Sequence, residues 1–585
     1  MKKIFLCLWL LLLFQVSCVS TKEKNIVDRL DQAHFSKKCE SIRQFFLKDL
    51  DQYQSAVDGA AKSYQEEQWR VESADPTASL EKLSIHFAVL QKMIYQKGIL
   101  ESIKTLEIDT RSVREEECGL KRSLKRAKEL LESTIITNDL VIQKEKENQD
   151  LQDALQNKSN AFRLLLPGER EPVSRALYLK KLGTTESRSQ REALYKLFNA
   201  ARAQKWEEWN FKALVRARND EAKLAGFENY YTYRFFRNQL DFNNYRSLLE
   251  EIKTRFAPRV RNALSELGLS LGISQVEGWD IRYIREKASA GHINEFLKQL
   301  DENSALSVAR DFYTGLGISI DQYQFPMDLY PRPGKNTHAF AMSLVFPHVN
   351  LQRQLLPTPQ VDIRFLANLK KPVLWGDIGT LIHELAHAIH AAEVRQPLSL
   401  FRGTGSVETE AIAMTTERMA DSAEFLELVI PKYTGVTAKN LQSVSARHVK
   451  AAQTEQAIVL LRQIFFSDYE YQIYVNPEQD FAELWSKLHK EYWGVDVGPF
   501  YADWDIDHFL SAPVYVQNYA IGILMVEQIY QSILKEFKTS FQSKALGDKI
   551  KKVYFEPGLE FNYLDLTEKF TGKPLSTMAV FELVK

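Results

Sequence analysis

Cysteine is nearly absent from this chain. Four occur in 585 residues, and two of them, Cys7 and Cys18, stand at the very start. That excludes a disulfide-built scaffold and leaves almost nothing for a zinc site closed by four thiolates. An exported location would permit Cys39 to pair with Cys118, but a core of this size does not need the bond, and free thiols serve equally well. Net charge is missing too, since 76 Lys and Arg balance 76 Asp and Glu. Nothing in that balance draws the chain to nucleic acid. The apolar run at the start, Ile4 to Phe14, is 11 residues long, where a membrane span needs about 20. Between about Asn25 and Arg163, Pro76 is the only proline. Strand signals are sparse, and there is no internal repeat.

What is present begins with a leader. Met1-Lys2-Lys3, the apolar run and "QVSC" read as an export signal whose Cys18 stands at a lipidation position. Gln15 departs from the usual aliphatic residue there, and simple cleavage near Ser17 to Thr21 is the alternative. The expectation is export to a bacterial cell envelope, with membrane attachment through Cys18. Three segments are expected: a leader over 1–18, a helical region over 19–165 and a catalytic region over 166–585. "LLPGEREP", Leu165 to Pro172, marks the second boundary. Before it, "VREEECGLKRSLKRAKELLESTIITNDLVIQKEKENQDLQDALQNK" predicts one long amphipathic helix or a helical hairpin, part of a solvated layer. Two strands are predicted, over "THAFAMSLVF" (Thr337 to Phe346) and "VDIRFLANL" (Val361 to Leu369).

The most informative stretch follows them. "GDIGTLIHELAHAIHAAEV" contains H-E-x-x-H. On a helix, His387 lies about 40° from His383 and one turn along, so both imidazoles face one ion. Glu384, about 100° round, reaches a water without being a ligand. Leu381, Ile382, Leu385, Ala388 and Ile389 form an apolar back. His390 shares the face of the pair a turn further on and is expected to line a cleft. Glu393 points away and makes a poor ligand. For a third ligand the candidates are the carboxylates on one face of "SVETEAIAMTTERMADSAEFLEL": Glu410, Glu417, Asp421 and Glu424, with Glu410 nearest the preceding turn. Two histidines and one glutamate leave a zinc position open, as catalytic sites require.

"LIHELAHAIH" followed 23 residues after His387 by "EAIAM" resembles the helical gluzincin peptidases. These include the angiotensin-converting-enzyme-like and the thimet-oligopeptidase and oligoendopeptidase-F-like families. The resemblance runs from about Pro167 to Leu583 and departs in carrying Ala386 where the family usually has glycine. It implies a mainly α, two-lobed fold with a deep central cleft and one small sheet beside the zinc helix. It maps the third zinc ligand onto Glu410. "GKNTHAFAM" resembles the strand that pairs with the peptide backbone, mapping His338, Ala339 and Ala341 there. "DHFLSAPVYVQNYAIGIL" resembles the segment that stabilises the transition state, mapping His508, Tyr519 and, second, Tyr515. Ile506 stands where the converting enzymes place a carboxylate-binding lysine, Asn518 where the chloride-dependent ones place an arginine, and the tyrosines are four apart rather than three. These departures count against carboxydipeptidase specificity and chloride activation.

The function implied is zinc-dependent hydrolysis of short peptides by one Zn²⁺ on His383, His387 and Glu410. Glu384 is the base, His508 and Tyr519 stabilise the oxyanion, and His338 to Ala341 hold an extended oligopeptide. The rival from another class is a catalytically silent peptide-binding or envelope-scaffold lipoprotein on the same fold. Another zinc hydrolase sharing only H-E-x-x-H is opposed by the C-terminal tyrosine segment.

Overall fold

The computed structural model describes residues 37–112, 120–289, 293–298, 300–336, 338–350, 352–501 and 506–585. The leader and Cys118 lie outside them, so the expectations for Cys18 and for a Cys39–Cys118 bond do too. Cys39 itself is buried. No helix of the described residues is long and apolar enough to cross a membrane.

The chain is mainly helical around one small sheet. The helices that matter below are α1 (Leu50–Glu72), α2 (Phe211–Leu224), α3 (Gly278–Ser289), α4 (Trp375–Ala392), α5 (Ser406–Ala420), α6 (Ala438–Val475) and α7 (Val516–Phe537). The sheet has strands β1 (Met327–Asp328), β2 (Phe340–Val345) and β3 (Asp362–Leu366), in the order β1-β3-β2. β2 pairs antiparallel with β3, Ala341 opposite Phe365, and β1 pairs parallel with β3. The two predicted strands are therefore present, each trimmed. β1 has two residues, too few for a readable alternation.

The sheet is fixed from both sides. Lys335, buried before β2, donates to the carbonyls of Asp328, Tyr330 and Ala367 and to the Asp328 carboxylate at 2.9 Å. These bonds tie the approach to β2 onto β1 and the end of β3. α1 lies against β2, where the Trp69 and Phe340 rings meet edge to face at 5.9 Å. The Asn336 amide donates to the Glu72 carbonyl at 2.8 Å. α4 packs against β2 and β3.

The N-terminal region is more than a solvated layer. Phe45, Phe46, Leu50, Ile103, Leu124 and Leu131 belong to a separate core that closes onto Leu398 and Phe401, between α4 and α5. The long charged stretch is neither a single helix nor a hairpin. It breaks after Thr134 and restarts at Asp139, where the Asn138 side chain accepts the Leu140 N–H at 3.0 Å. The first piece packs on Lys97–Asp109 and the second on α2. The main core takes in Ile136, Val141, Leu155 and Phe162, so apolar packing is continuous across "LLPGEREP".

α4 is held at its start by the Asp377 carboxylate, which accepts the Leu374 N–H at 2.8 Å. Its predicted apolar back is buried: Leu381, Ile382, Leu385, Ala388 and Ile389 are each 0% exposed, as is Ile378 before them. α5 packs between α4 and α7, and α6 crosses α7. Gly522 permits the close approach of α7 to α5, since a Cβ there would lie 2.9 Å from the Met414 methyl.

Truncating Leu385 to alanine is expected to cost about 2–5 kcal/mol in denaturant unfolding. A loss well under 1 kcal/mol would show that the back of α4 is not packed as described.

Candidate metal centre

α4 presents His383 and His387 one turn apart, with their Nε2 atoms 3.0 Å from each other. α5 brings the Glu410 carboxylate to 3.6 Å from His383 Nε2 and 4.0 Å from His387 Nε2. One ligand atom from each of the three residues falls within 4.8 Å of the others. Bonds of about 2.1 Å to a tetrahedral ion place ligands roughly 3.4 Å apart. The donor set is therefore spaced for zinc.

The imidazoles are aimed from behind. His383 Nδ1 lies 3.1 Å from Glu417 and His387 Nδ1 lies 2.8 Å from the Thr409 hydroxyl. A carboxylate only accepts, so Nδ1 of His383 carries a proton and Nε2 is the nitrogen turned to the triad. Both partners come from α5, the helix that carries Glu410. Glu417 was among the carboxylates on the predicted face, two turns from Glu410, but nothing in the sequence separated a ligand from its supporting acid. Thr409 carried no signal.

The electrostatics show a place prepared for a cation. Burial disfavours a charged His383, but Glu410, Glu417 and Glu384 outweigh it and hold that imidazole well above its usual range. Burial likewise opposes the Glu410 carboxylate, and the two histidines outweigh it and hold it low. His387 is pushed down to about 4 by burial and by charge on His383. Glu384 is pushed up to about 7 by burial, with Glu410 adding to it and His383 and the Ala341 N–H opposing. That N–H belongs to β2, so the carboxylate beside the triad touches the strand along which a peptide is expected. β2 is an edge strand, and its side away from β3 has no strand partner among the described residues. Ala339 and Ala341 are half-buried there, while His338 is exposed just before the strand, its N–H held by Asn336 Oδ1 at 2.9 Å.

The segment from His508 to Tyr519 comes close enough for Glu410 to act on its tyrosines. The His508 ring lies 5.7 Å from Tyr519 and 6.5 Å from Tyr515, and the two tyrosine rings meet at 5.3 Å. After burial, Glu410 is the main influence raising the pKa of both tyrosines, so both hydroxyls stay protonated and feel the ligand carboxylate. Tyr515 is the residue before α7 rather than within it. The segment is held by buried groups that carry no sequence motif. Arg218 of α2 donates to the Phe509 carbonyl at 2.8 Å, to that of Leu510 at 2.5 Å and to Tyr474 at 3.1 Å. Glu470 of α6 accepts the Val514 N–H at 2.8 Å, and Asn238 donates to the Val514 carbonyl at 3.1 Å. Val514 sits at φ +56°, which turns the chain into α7.

His390 corrects the reading of its helix. It does not line a cleft: it is 2% exposed and stacks on Phe555 at 4.8 Å. Burial pushes it down to about 3, a neutral imidazole in the core. One further turn along α4 carries the face of the pair into the protein. Glu393 is turned elsewhere as expected, bonded to Tyr323, Arg395 and Lys551.

Residues 182–324 and 321–584 match the model of peptidase family M3. Oligopeptidase A of Haemophilus influenzae is 23% identical over 359 residues, 53% of this chain and 52% of that protein. The aligned part thus spans about half the length of that curated relative. Among solved structures, PZ peptidase A with an inhibitor aligns at a TM-score of 0.59 and 13% identity, over 91% of this chain and 95% of that one. A putative oligoendopeptidase F aligns at 0.59 and 13%, over 95% and 97%. Another, from Bacillus anthracis, aligns at 0.57 and 14%, over 90% and 94%. At these identities the likeness shows a shared fold.

Glu417→Gln keeps a hydrogen-bonding group near His383 but removes the charge that steadies its Nδ1–H. Zinc affinity, measured by competition with a chelating dye, is expected to fall about 10- to 100-fold. Unchanged affinity would show that Glu417 plays no part in presenting the ligand.

Proposed function

The chain belongs to peptidase family M3, and from that premise we propose that it is a zinc-dependent oligopeptidase acting on short extended peptides. The observation that carries the reading is the convergence of His383, His387 and Glu410, with Glu384 beside them and the tyrosines of the His508–Tyr519 segment within reach of the Glu410 charge. When bound, zinc supplies a Lewis acid that polarises the scissile carbonyl and makes water more acidic.

The chain's own residues do the rest. The substrate backbone lies along the open edge of β2 by strand addition, with His338 to Ala341 beside it. Glu384 takes a proton from the attacking water and returns it to the leaving amine. Its buried setting, which favours the protonated form, suits a group that must first take a proton and then keep it for the amine. Tyr519, with His508 and Tyr515, directs protonated donors at the oxygen on which negative charge develops. Arg218 and Glu470 keep those donors in place by bonding the backbone between His508 and Tyr515.

We also propose export, with attachment through Cys18. Its support is the basic start, the apolar run and the "QVSC" sequence. Incorporation of labelled fatty acid into the wild type and not into Cys18→Ala is the expected result. A membrane-free protein lacking label would overturn the attachment.

Glu384→Gln is expected to retain zinc and lose turnover of a quenched-peptide library, while Tyr519→Phe lowers kcat about 100- to 1000-fold. Full activity in Glu384→Gln would overturn the mechanism. Because Glu384 must be ionised to act, activity should fall as pH drops through its titration, with the charge of zinc moving that limb below 7. An acid limb that persists unchanged in a Glu384→Asp variant would assign it to another group.

A further inference from the structure

A stripe along α6 forms one wall of a cavity of about 450 Å³, and His448, Glu455 and Val459 lie on that stripe. The facing walls include Trp375 and Gly379 of α4, Glu417 at the metal centre, and Ile523 of α7. Glu417 bonds His383, and Ile523 lies one turn beyond Tyr519 on α7. The cavity therefore lies on the Glu417 side of the candidate centre, behind His383.

The same stripe continues through Arg462 to Phe466, at helical spacings of three and four. Phe466 touches Phe509 at 5.6 Å, next to His508. Arg462 is thus placed on the α6 wall between the cavity and the His508 segment.

Arg462 stands out because no carboxylate holds it. Among the described residues it makes no hydrogen bond or ion pair, and its Nε is buried without a partner. Its neighbours on α3 add positive charge. Arg285 pairs with Glu455, Nε to Oε2 at 3.2 Å. Arg282 donates to Glu286 at 3.2 Å, and its own Nε is also buried without a partner. Burial, Arg285 and Arg282 lower the pKa of Arg462 to about 10, against the opposing charge of Glu455. A guanidinium whose Nε is buried and whose donors bond no acceptor has a planar fork to offer, which is suited to a carboxylate.

We propose that Arg462, assisted by Arg282 and Arg285, binds a carboxylate of the peptide substrate at the far end of this cavity. The inference rests on the peptidase reading above. The carboxylate is either the free C-terminus or an acidic side chain, and matched peptides separate the two.

The experiment measures peptide binding by calorimetry in the zinc-loaded Glu384→Gln protein and kcat and KM in the active enzyme. The peptides are a free acid, its C-terminal amide, and an Asp→Asn partner. The free acid or the Asp peptide is expected to bind at least tenfold tighter than its neutral counterpart. Arg462→Gln should abolish that preference by raising KM for the charged peptide alone, and Arg462→Lys should keep part of it. Because no group among the described residues bonds Arg462, its removal should also leave thermal stability unchanged or raised. Equal affinity for charged and neutral peptides overturns the proposal while leaving peptidase activity standing. So does an Arg462→Gln variant that melts lower and weakens every peptide alike, because that identifies a merely structural arginine. Absence of any cleavage by the wild type, with binding intact, overturns the peptidase reading instead.

Discussion

Two hydrogen bonds behind the histidines govern the rest of the site. A histidine on a helix has two nitrogens to offer, and the pair serves one ion only if each turns the same one forward. Glu417 and Thr409 take the Nδ1 positions of His383 and His387, which leaves both Nε2 atoms facing Glu410. All three α5 residues lie on one rigid element, so ligand and supports move together against α4. α4 is anchored in turn by its buried back and by Tyr313, whose hydroxyl donates to the Ile382 carbonyl at 2.5 Å. The packing of two helices is therefore what sets the metal geometry.

The same economy appears across the site. The His508–Tyr519 segment contains a turn of its own and would not hold its donors still alone. Arg218 bonds two successive carbonyls, and Glu470 bonds the N–H of the left-handed Val514. Burial pushes Glu470 up to about 8, against the pull of the Val514 N–H and of Arg218 and Arg234. The N-terminal helices contribute on the other side, through the contact of α1 with β2. What looked from the sequence like an appended layer is thus packed against the strand proposed to bind peptide.

Legibility followed locality. His383, Glu384 and His387 sit within five residues and one helical period, so their relation could be read directly. The two longer strands were readable as short apolar runs beside the histidine helix. Glu410 needed a second helix, and its choice over Glu417 rested on a family resemblance rather than on the residues. His390 misled because periodicity reports direction round an axis and says nothing about where a neighbouring element begins. Tyr554 and Phe555, more than 160 residues on, decide its burial. Arg218, Glu470 and Arg462 were invisible for a related reason. A lone charged residue in a helical pattern reads as a solvated face, and only the fold reveals that each is turned inward. The break between Thr134 and Asp139 was missed because its residues, Ile135 to Asn138, include no glycine or proline to punctuate it.

The central claim is that one zinc ion is held by two imidazoles and one carboxylate, with a place left for solvent. X-ray absorption at the zinc edge of the purified protein tests this most directly. The account predicts a single site with nitrogen and oxygen ligands at about 2.0–2.2 Å, the outer-shell signature of two imidazoles, and loss of the carboxylate contribution in Glu410→Ala. Sulfur ligation, one imidazole or none, or a spectrum indifferent to Glu410→Ala would contradict it.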